Sequence, residues 1–179
     1  MNILAESCRR TLEEMHRNLA ENFMSYNLDE KEFIKSMTYT LNQAYEVILL
    51  AITLWREARS EPIESKRAVA WSIRNRVKAT PPRWWGHSWV DVLIKPWQYT
   101  SVTGVGDPNL VKWPKDNDPS WQECLVVADE VFNGQGNDTT GGATHYFDKS
   151  LDNNPPKWTK AADSVHKVDI GSFRFWRAA

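Results

Sequence analysis

The 179-residue sequence has little cysteine: Cys8 and Cys124 are its two. Two thiols cannot supply the cross-linked framework of a disulfide scaffold, so both are expected as free thiols and a reducing compartment is compatible. An excess of one charge is missing as well, since 22 Lys and Arg face 23 Asp and Glu. Without a basic field, no nucleic-acid partner is expected. Long apolar runs are absent too. The strongest, 47–54, contains Thr53 and soon meets Arg56 and Glu57, well short of the ~20 residues that cross a bilayer, so no stable membrane insertion is expected. At the N-terminus the chain runs into Arg9, Arg10, Glu13 and Glu14, the wrong charge order for a cleavable signal, so no signal peptide is expected. His16, His87, His145 and His166 form no pair at helical metal-binding spacing and no His-Glu-x-x-His. Neither a metal nor another cofactor is expected.

What is present is the composition of a folded domain, 41% hydrophobic and 25% charged, with enough apolar surface to offset chain entropy. The length favours one domain with a short appendage. Tryptophan is abundant, with ten in all and a cluster at Trp84, Trp85, Trp89 and Trp97. Its flat apolar face and single N–H suit either core packing or a groove for sugar rings. Most are expected in the core.

Leu4, Cys8, Leu12, Met15 and Leu19 recur at helical spacing, which predicts an amphipathic helix over 1–28. A second stripe runs through Phe33, Met37, Leu41, Ala44 and Ile48 behind a candidate cap at Asp29. The two stripes fit one long helix or two abutting ones, and charge marks no domain boundary between them. In the next helix Ala44, Val47, Ile48, Ala51, Trp55 and Ala58 form the buried face. Leu50, Leu54, Glu57 and Glu61 follow its shoulder, which puts Glu57 half in the core. Pro62 ends this helix near Ser60 or Glu61, so Glu57 sits in the last turn. A helix over Glu64 to Lys78, stopped by Thr80-Pro81-Pro82, is expected to complete a hairpin with it. From 81 to 118 the prolines and clustered tryptophans predict a long ordered loop with at most a short turn. Pro119 opens a helix with Trp121, Leu125, Ala128 and Phe132 on one face and Cys124 at its border, ending at Asn133-Gly134. The remainder is mixed. The fold class is mainly α, with long ordered loops and at most a small β element.

A carboxyl at the edge of an apolar face loses hydration, which raises its pKa and keeps a proton available as a general acid. Glycosidic cleavage needs such a group to protonate the departing oxygen. Glu57 is the candidate, although pattern alone favours an ordinary helix-end carboxylate with Arg56, Arg59 or Arg76 as its partner. Glu61 reads as a capping or hydrogen-bonding residue. A thiol nucleophile would sit at an activated helix start, whereas Cys124 lies inside a predicted helix.

The segment Trp55-Arg56-Glu57-Ala58-Arg59-Ser60-Glu61-Pro62 resembles the Glu-Ala-Arg-Gly-Glu motif of the spore-cortex-lytic type of cell-wall hydrolase. In order, Ala68 to Val77 resembles that family's second helix with its Asn-Arg-Val ending, and Pro96-Trp97-Gln98-Tyr99-Thr100 its Pro-x-Gln-Phe-Ser/Thr stretch. Gly141 to Phe147 resembles its Gly-Ala-Thr-x-Tyr-Phe segment, with Lys157-Trp158 matching a short element beyond. The resemblance covers roughly 43 to 176, which implies an N-terminal helical extension over 1–42 and a main domain over 43–179, and it departs at Ser60, in place of Gly, and Tyr99, in place of Phe. It implies a lysozyme-like helical domain that cleaves peptidoglycan glycan strands between N-acetylmuramic acid and N-acetylglucosamine, as a lytic transglycosylase. The motif Glu, carried over onto Glu57, is then acid and later base. Gln98, Tyr99, Thr100, Thr144, His145 and Tyr146 are implied to bind substrate, His145 being equally readable as a structural histidine.

Hydrolysis by a lysozyme-type muramidase would need a second carboxylate, for which Glu61, Glu64, Asp107 and Asp116 are candidates. A non-catalytic glycan-binding or virion subunit using Trp85, Trp97 and Tyr99 as stacking faces is the alternative outside enzymes. A wall-active chain with no export signal suggests a bacteriophage protein, made in the host cytoplasm and acting on the wall; its N-terminal helices are read first as completing the core, with docking to tail or virion proteins as the rival reading.

Overall fold

The computed structural model describes residues 39–115 and 117–178. The expected N-terminal extension, Cys8 and Asp116 lie outside the described residues. Glu46–Ala179 forms one compact unit. Helix α1, Leu41–Ala58, is followed by α2, Ile63–Val77, then by the short α3, Trp89–Leu93, and α4, Thr100–Thr103. Helix α5, Pro119–Phe132, precedes strand β1, His145–Asp148, and two 3-10 turns, Lys149–Leu151 and Lys157–Lys160, lead to β2, Val165–Ile170, and β3, Phe173–Arg177. A mainly helical domain with a small β element is therefore what the chain forms. Among the described residues no helix is long and apolar enough to cross a membrane.

One boundary and one packing relation differ from the sequence reading. Helix α1 ends at Ala58, where the Glu61 N–H closes a turn on the Ala58 carbonyl. The expected α1–α2 hairpin does not form as a packed pair; α2 lies along α5 instead. Charge pairing explains that choice. Buried Lys66 meets Glu123 at 2.5 Å, and Arg67 grips Glu130 through two bonds of 3.0 and 3.3 Å. Arg74 Nη1 donates to the carbonyls of Val131 and Phe132, both at 2.9 Å, satisfying acceptors that the end of α5 leaves open. The core face of α5 is Cys124, Leu125, Val127, Ala128 and Val131, with Trp121 and Phe132 at its margins rather than its centre. Burial pushes the Cys124 thiol up to about 12, which leaves it inert as a nucleophile.

The loop region 81–118 contains two short helices where at most a turn was expected. Helix α3 is set by a capping box, Ser88 accepting from the Asp91 N–H while Asp91 accepts from that of Ser88. Such reciprocal capping lets a five-residue helix start cleanly. At the other end of the region Asp118 caps α5 through the Ser120 N–H and accepts Trp55 Nε1 at 2.7 Å. That pair ties the start of α5 to the last turns of α1.

The sheet order is β1-β3-β2, all antiparallel, with Tyr146 opposite Phe175 and a bulge between His166 and Val168. Phe173 and Phe175 are buried and hold the Tyr146 ring at 5.3 and 5.7 Å. Gly171 turns β2 into β3 at φ +56, and a Cβ there would lie 2.1 Å from Ser65 Oγ and 2.6 Å from Glu61 Oε2. Glu61 in turn accepts from Ser172 N at 3.1 Å and Ser172 Oγ at 2.8 Å. The second glutamate of the motif thus docks the hairpin turn to the α1–α2 junction. Gly171→Ala combines a left-handed backbone with displacement of Glu61, so a loss of about 2–3 kcal/mol is expected in chemical denaturation.

Candidate functional site

Glu57 stands in the last turn of α1, flanked by core residues and itself only half exposed. Its Oε1 accepts from Ser101 Oγ at 2.5 Å and its Oε2 from Tyr146 Oη at 2.9 Å. Three distant segments, α1, α4 and β1, therefore converge on one carboxyl group. Arg56, Arg59 and Arg76, the cations that pattern alone offered as partners, bind elsewhere. Arg56 is buried and donates to the carbonyls of Ser101, at 3.1 Å, and Lys112, with its guanidinium 5.0 Å from the Trp113 ring centre. Arg59 reaches the Arg56 carbonyl and Asn109. Arg76 binds the Thr144 carbonyl through Nε and Gln98 Oε1 at 2.5 Å through Nη1.

Removal from water pushes the Glu57 carboxyl above the ordinary glutamate range. The hydrogen bonds from Ser101 and Tyr146 pull the other way, and the Asp107 charge adds to the rise. Asp107 is itself held low by the Asn109 N–H and the Thr100 hydroxyl. The Tyr146 phenol is raised well above its usual value by burial and by the Glu57 charge, so it remains a neutral donor. A carboxyl with an elevated pKa, two neutral donors and no cation can release a proton and take one back.

The residues expected to bind substrate have separate fates. Tyr146 touches Glu57. Tyr99 is 2% exposed, its hydroxyl has no hydrogen-bond partner among the described residues, and its ring lies 5.5 Å from the Arg76 guanidinium. Burial raises the Tyr99 phenol, the Arg76 charge opposes that rise and the Glu57 charge adds to it. Gln98 is engaged by Arg76, and exposed Thr100 donates to Asp107 Oδ2 at 2.7 Å. Thr144 and His145 turn into the protein rather than toward Glu57. Thr144 Oγ1 bonds the backbone of Ala178, while His145 is buried with Trp85 at 5.7 Å and Trp158 at 4.9 Å. Burial, with the Arg76 charge, drives the His145 pKa down to about 3, so it stays neutral. Of its two readings, the structural one matches its surroundings.

Ser101 is the member that the sequence reading missed. A single serine in a four-residue helix carries no periodic signal, and its position follows from Arg56 gripping its carbonyl. Asn75, beside Arg76, performs similar work: its Nδ2 donates to Asp138 Oδ2 and the Ala143 carbonyl, both at 2.9 Å. A separate cavity of about 290 Å³, lined in part by Asn75, Lys78, Arg83, Trp85 and Arg177, does not include Glu57.

The class defined by this geometry is a helical domain built around one dehydrated carboxyl acid. A family model described as "Cell Wall Hydrolase" matches residues 60–176, and the chain belongs to that family. The match begins three residues after Glu57, so the role of that residue rests on the geometry above. Two solved structures are similar: the catalytic domain of the germination-specific lytic transglycosylase SleB from Bacillus anthracis, and that of the Bacillus cereus SleB protein. Identity is 25% and 26%, and the TM-score is 0.53 for each. Both alignments cover 78% of this chain, with 97% and 92% of the respective structures. Comparison with curated proteins found no match.

Because the Ser101 bond favours ionised Glu57, Ser101→Ala is expected to raise its pKa and move the alkaline limb of the pH–activity profile to higher pH. A limb that moves down or stays in place would contradict the assignment. The raised pKa also fixes a stability trend. Folded Glu57 holds its proton more tightly than the unfolded chain does, so its contribution falls as pH rises through that interval. Glu57→Gln is accordingly expected to melt higher than the native chain at pH 7, with the gain shrinking below the ordinary Glu pKa of about 4.3.

Proposed function

We propose that this protein is a peptidoglycan lytic transglycosylase in which Glu57 acts first as acid and then as base. The observation that carries the reading is the half-buried Glu57 carboxyl, held by Ser101 and Tyr146 and unpaired with any described cation. In the first step the Glu57 proton passes to the oxygen linking N-acetylmuramic acid to N-acetylglucosamine, and the C1–O bond breaks as positive charge develops on the muramic ring. Glu57, now ionised and retained by its two donors, removes the proton from the muramic 6-hydroxyl. O6 closes on C1 to give a 1,6-anhydro ring, the glutamate is reprotonated, and no water is consumed.

One carboxylate suffices for this scheme, and the engagement of Glu61 and Asp107, two of the candidates for a second, supports it over hydrolysis. Glu61 is committed to Ser172, and both oxygens of Asp107 are bonded within its own loop. The name of the Bacillus anthracis SleB structure, a lytic transglycosylase, points the same way.

Zymography on purified peptidoglycan tests the proposal. The native chain should clear the substrate, and Glu57→Gln, folded by its melting curve, should lose about 10²–10⁴-fold in rate. Undiminished clearing by Glu57→Gln would remove this residue from the chemistry. Mass spectrometry of the fragments should find anhydro ends, one water lighter than hydrolysed reducing ends; reducing ends would instead indicate a muramidase.

A further inference from the structure

Among the described residues, Trp97 is the one non-glycine residue with positive φ, at +67. The Gln98 N–H closes a turn on the Lys95 carbonyl at 3.1 Å, placing Pro96 second and Trp97 third. That is the pattern of a type II turn, whose third position calls for Gly or Asn because a Cβ there is strained. A bulky aromatic residue is normally kept in such a place only when its side chain is used.

The fold makes no visible use of this indole. Trp84, Trp97 and Trp113 are 56%, 76% and 73% exposed. Trp84 has an edge contact with Trp85, and Trp113 carries the Arg56 guanidinium on its ring. Trp97 has no ring, cation or hydrogen-bond contact among the described residues, so neither burial nor pairing offsets its backbone strain. Its location matters as well. The next two residues are Gln98, clamped by Arg76, and Tyr99, buried beside the groups around Glu57. In the motif that this segment resembles, the position is unspecified, so the indole is a choice of this chain.

We propose that Trp97 is a substrate-contact residue, its exposed indole face stacking on the apolar C–H face of an N-acetylhexosamine ring of the glycan strand. The inference rests on the proposed action on glycan strands and adds a sugar-binding position fixed by a strained turn. The turn fixes through the backbone where the indole is presented at the surface, so the loop itself need not reorder on binding.

Trp97→Gly separates this role from a structural one because glycine suits the turn. The variant is expected to melt at or above the native temperature, while its affinity for chitohexaose, measured by calorimetry, falls roughly 3- to 10-fold, the scale of one aromatic contact. Clearing of peptidoglycan should slow at low substrate and recover at high substrate, and Trp97→Phe should retain part of the affinity. Native affinity in Trp97→Gly, or a marked drop in its melting temperature, would overturn the proposal. The Glu57→Gln zymogram fails independently: clearing by that variant refutes the catalytic reading, whereas weakened chitohexaose binding by Trp97→Gly still supports the contact.

Discussion

The site depends on guanidinium groups bound to backbone carbonyls. Arg76, at the end of α2, is buried and has no carboxylate partner among the described residues; it spends its donors on the Thr144 carbonyl and Gln98 Oε1. The faces of Trp85 and Tyr99 lie 5.6 and 5.5 Å from its Cζ. A buried cation costs several kcal/mol in lost hydration, roughly, unless such contacts replace the water. Here the contacts also join α2, the loop before α4 and the residue preceding β1. Since Tyr146 stands two residues after Thr144, fixing that carbonyl also fixes where the phenol arrives.

Arg56 does the equivalent task on the other side of Glu57. Its bonds to the carbonyls of Ser101 and Lys112 hold the two flanks of the 101–112 loop, and the Ser101 hydroxyl is thereby presented to Glu57 Oε1. Burial lowers the Arg56 pKa while Asp107 opposes that change, and the group remains a cation. The two arginines therefore position the two neutral donors. Hydrogen bonds from Ser101 and Tyr146 order the carboxylate without giving it a full counter-charge, whereas a direct Arg partner would pull a carboxyl pKa down by one to three units, roughly.

Much of the helical framework was legible because it is periodic. The apolar stripe of α1 and Pro62 place Glu57 in a last helical turn, and Pro119 with Asn133-Gly134 bounds α5 as observed. The α1–α2 relation was not legible, because amphipathic stripes do not say which helix covers which; Lys66, Arg67 and Arg74 decide it in favour of α5. The box formed by Ser88 and Asp91 was a readable local signal for α3, and Ile170-Gly171-Ser172-Phe173 for the β2–β3 turn. Ser101 gave no such signal, since its placement comes from a carbonyl bond to a residue 45 positions away in sequence. Ser60, where the related motif has glycine, is accommodated because its φ is not positive.

The arrangement also explains how a motif rich in arginine can surround a carboxyl group whose pKa is nonetheless raised. Each guanidinium has up to five N–H donors, and in this site those of Arg56 and Arg76 are directed to carbonyl or amide oxygens, whose partial charges bind the cation without neutralising it. The long-range positive charge remains: it lowers the His145 pKa and opposes the rise of the Tyr99 and Tyr146 phenols. At Glu57 the largest influence is instead dehydration, countered by the two hydroxyl donors. The same residues thus fasten the loops mechanically and keep their charges out of direct contact with the carboxyl group. Replacing either arginine by lysine would preserve net charge but lose the fork that reaches two acceptors at once, so the geometry rather than the sign of the charge is what these positions require.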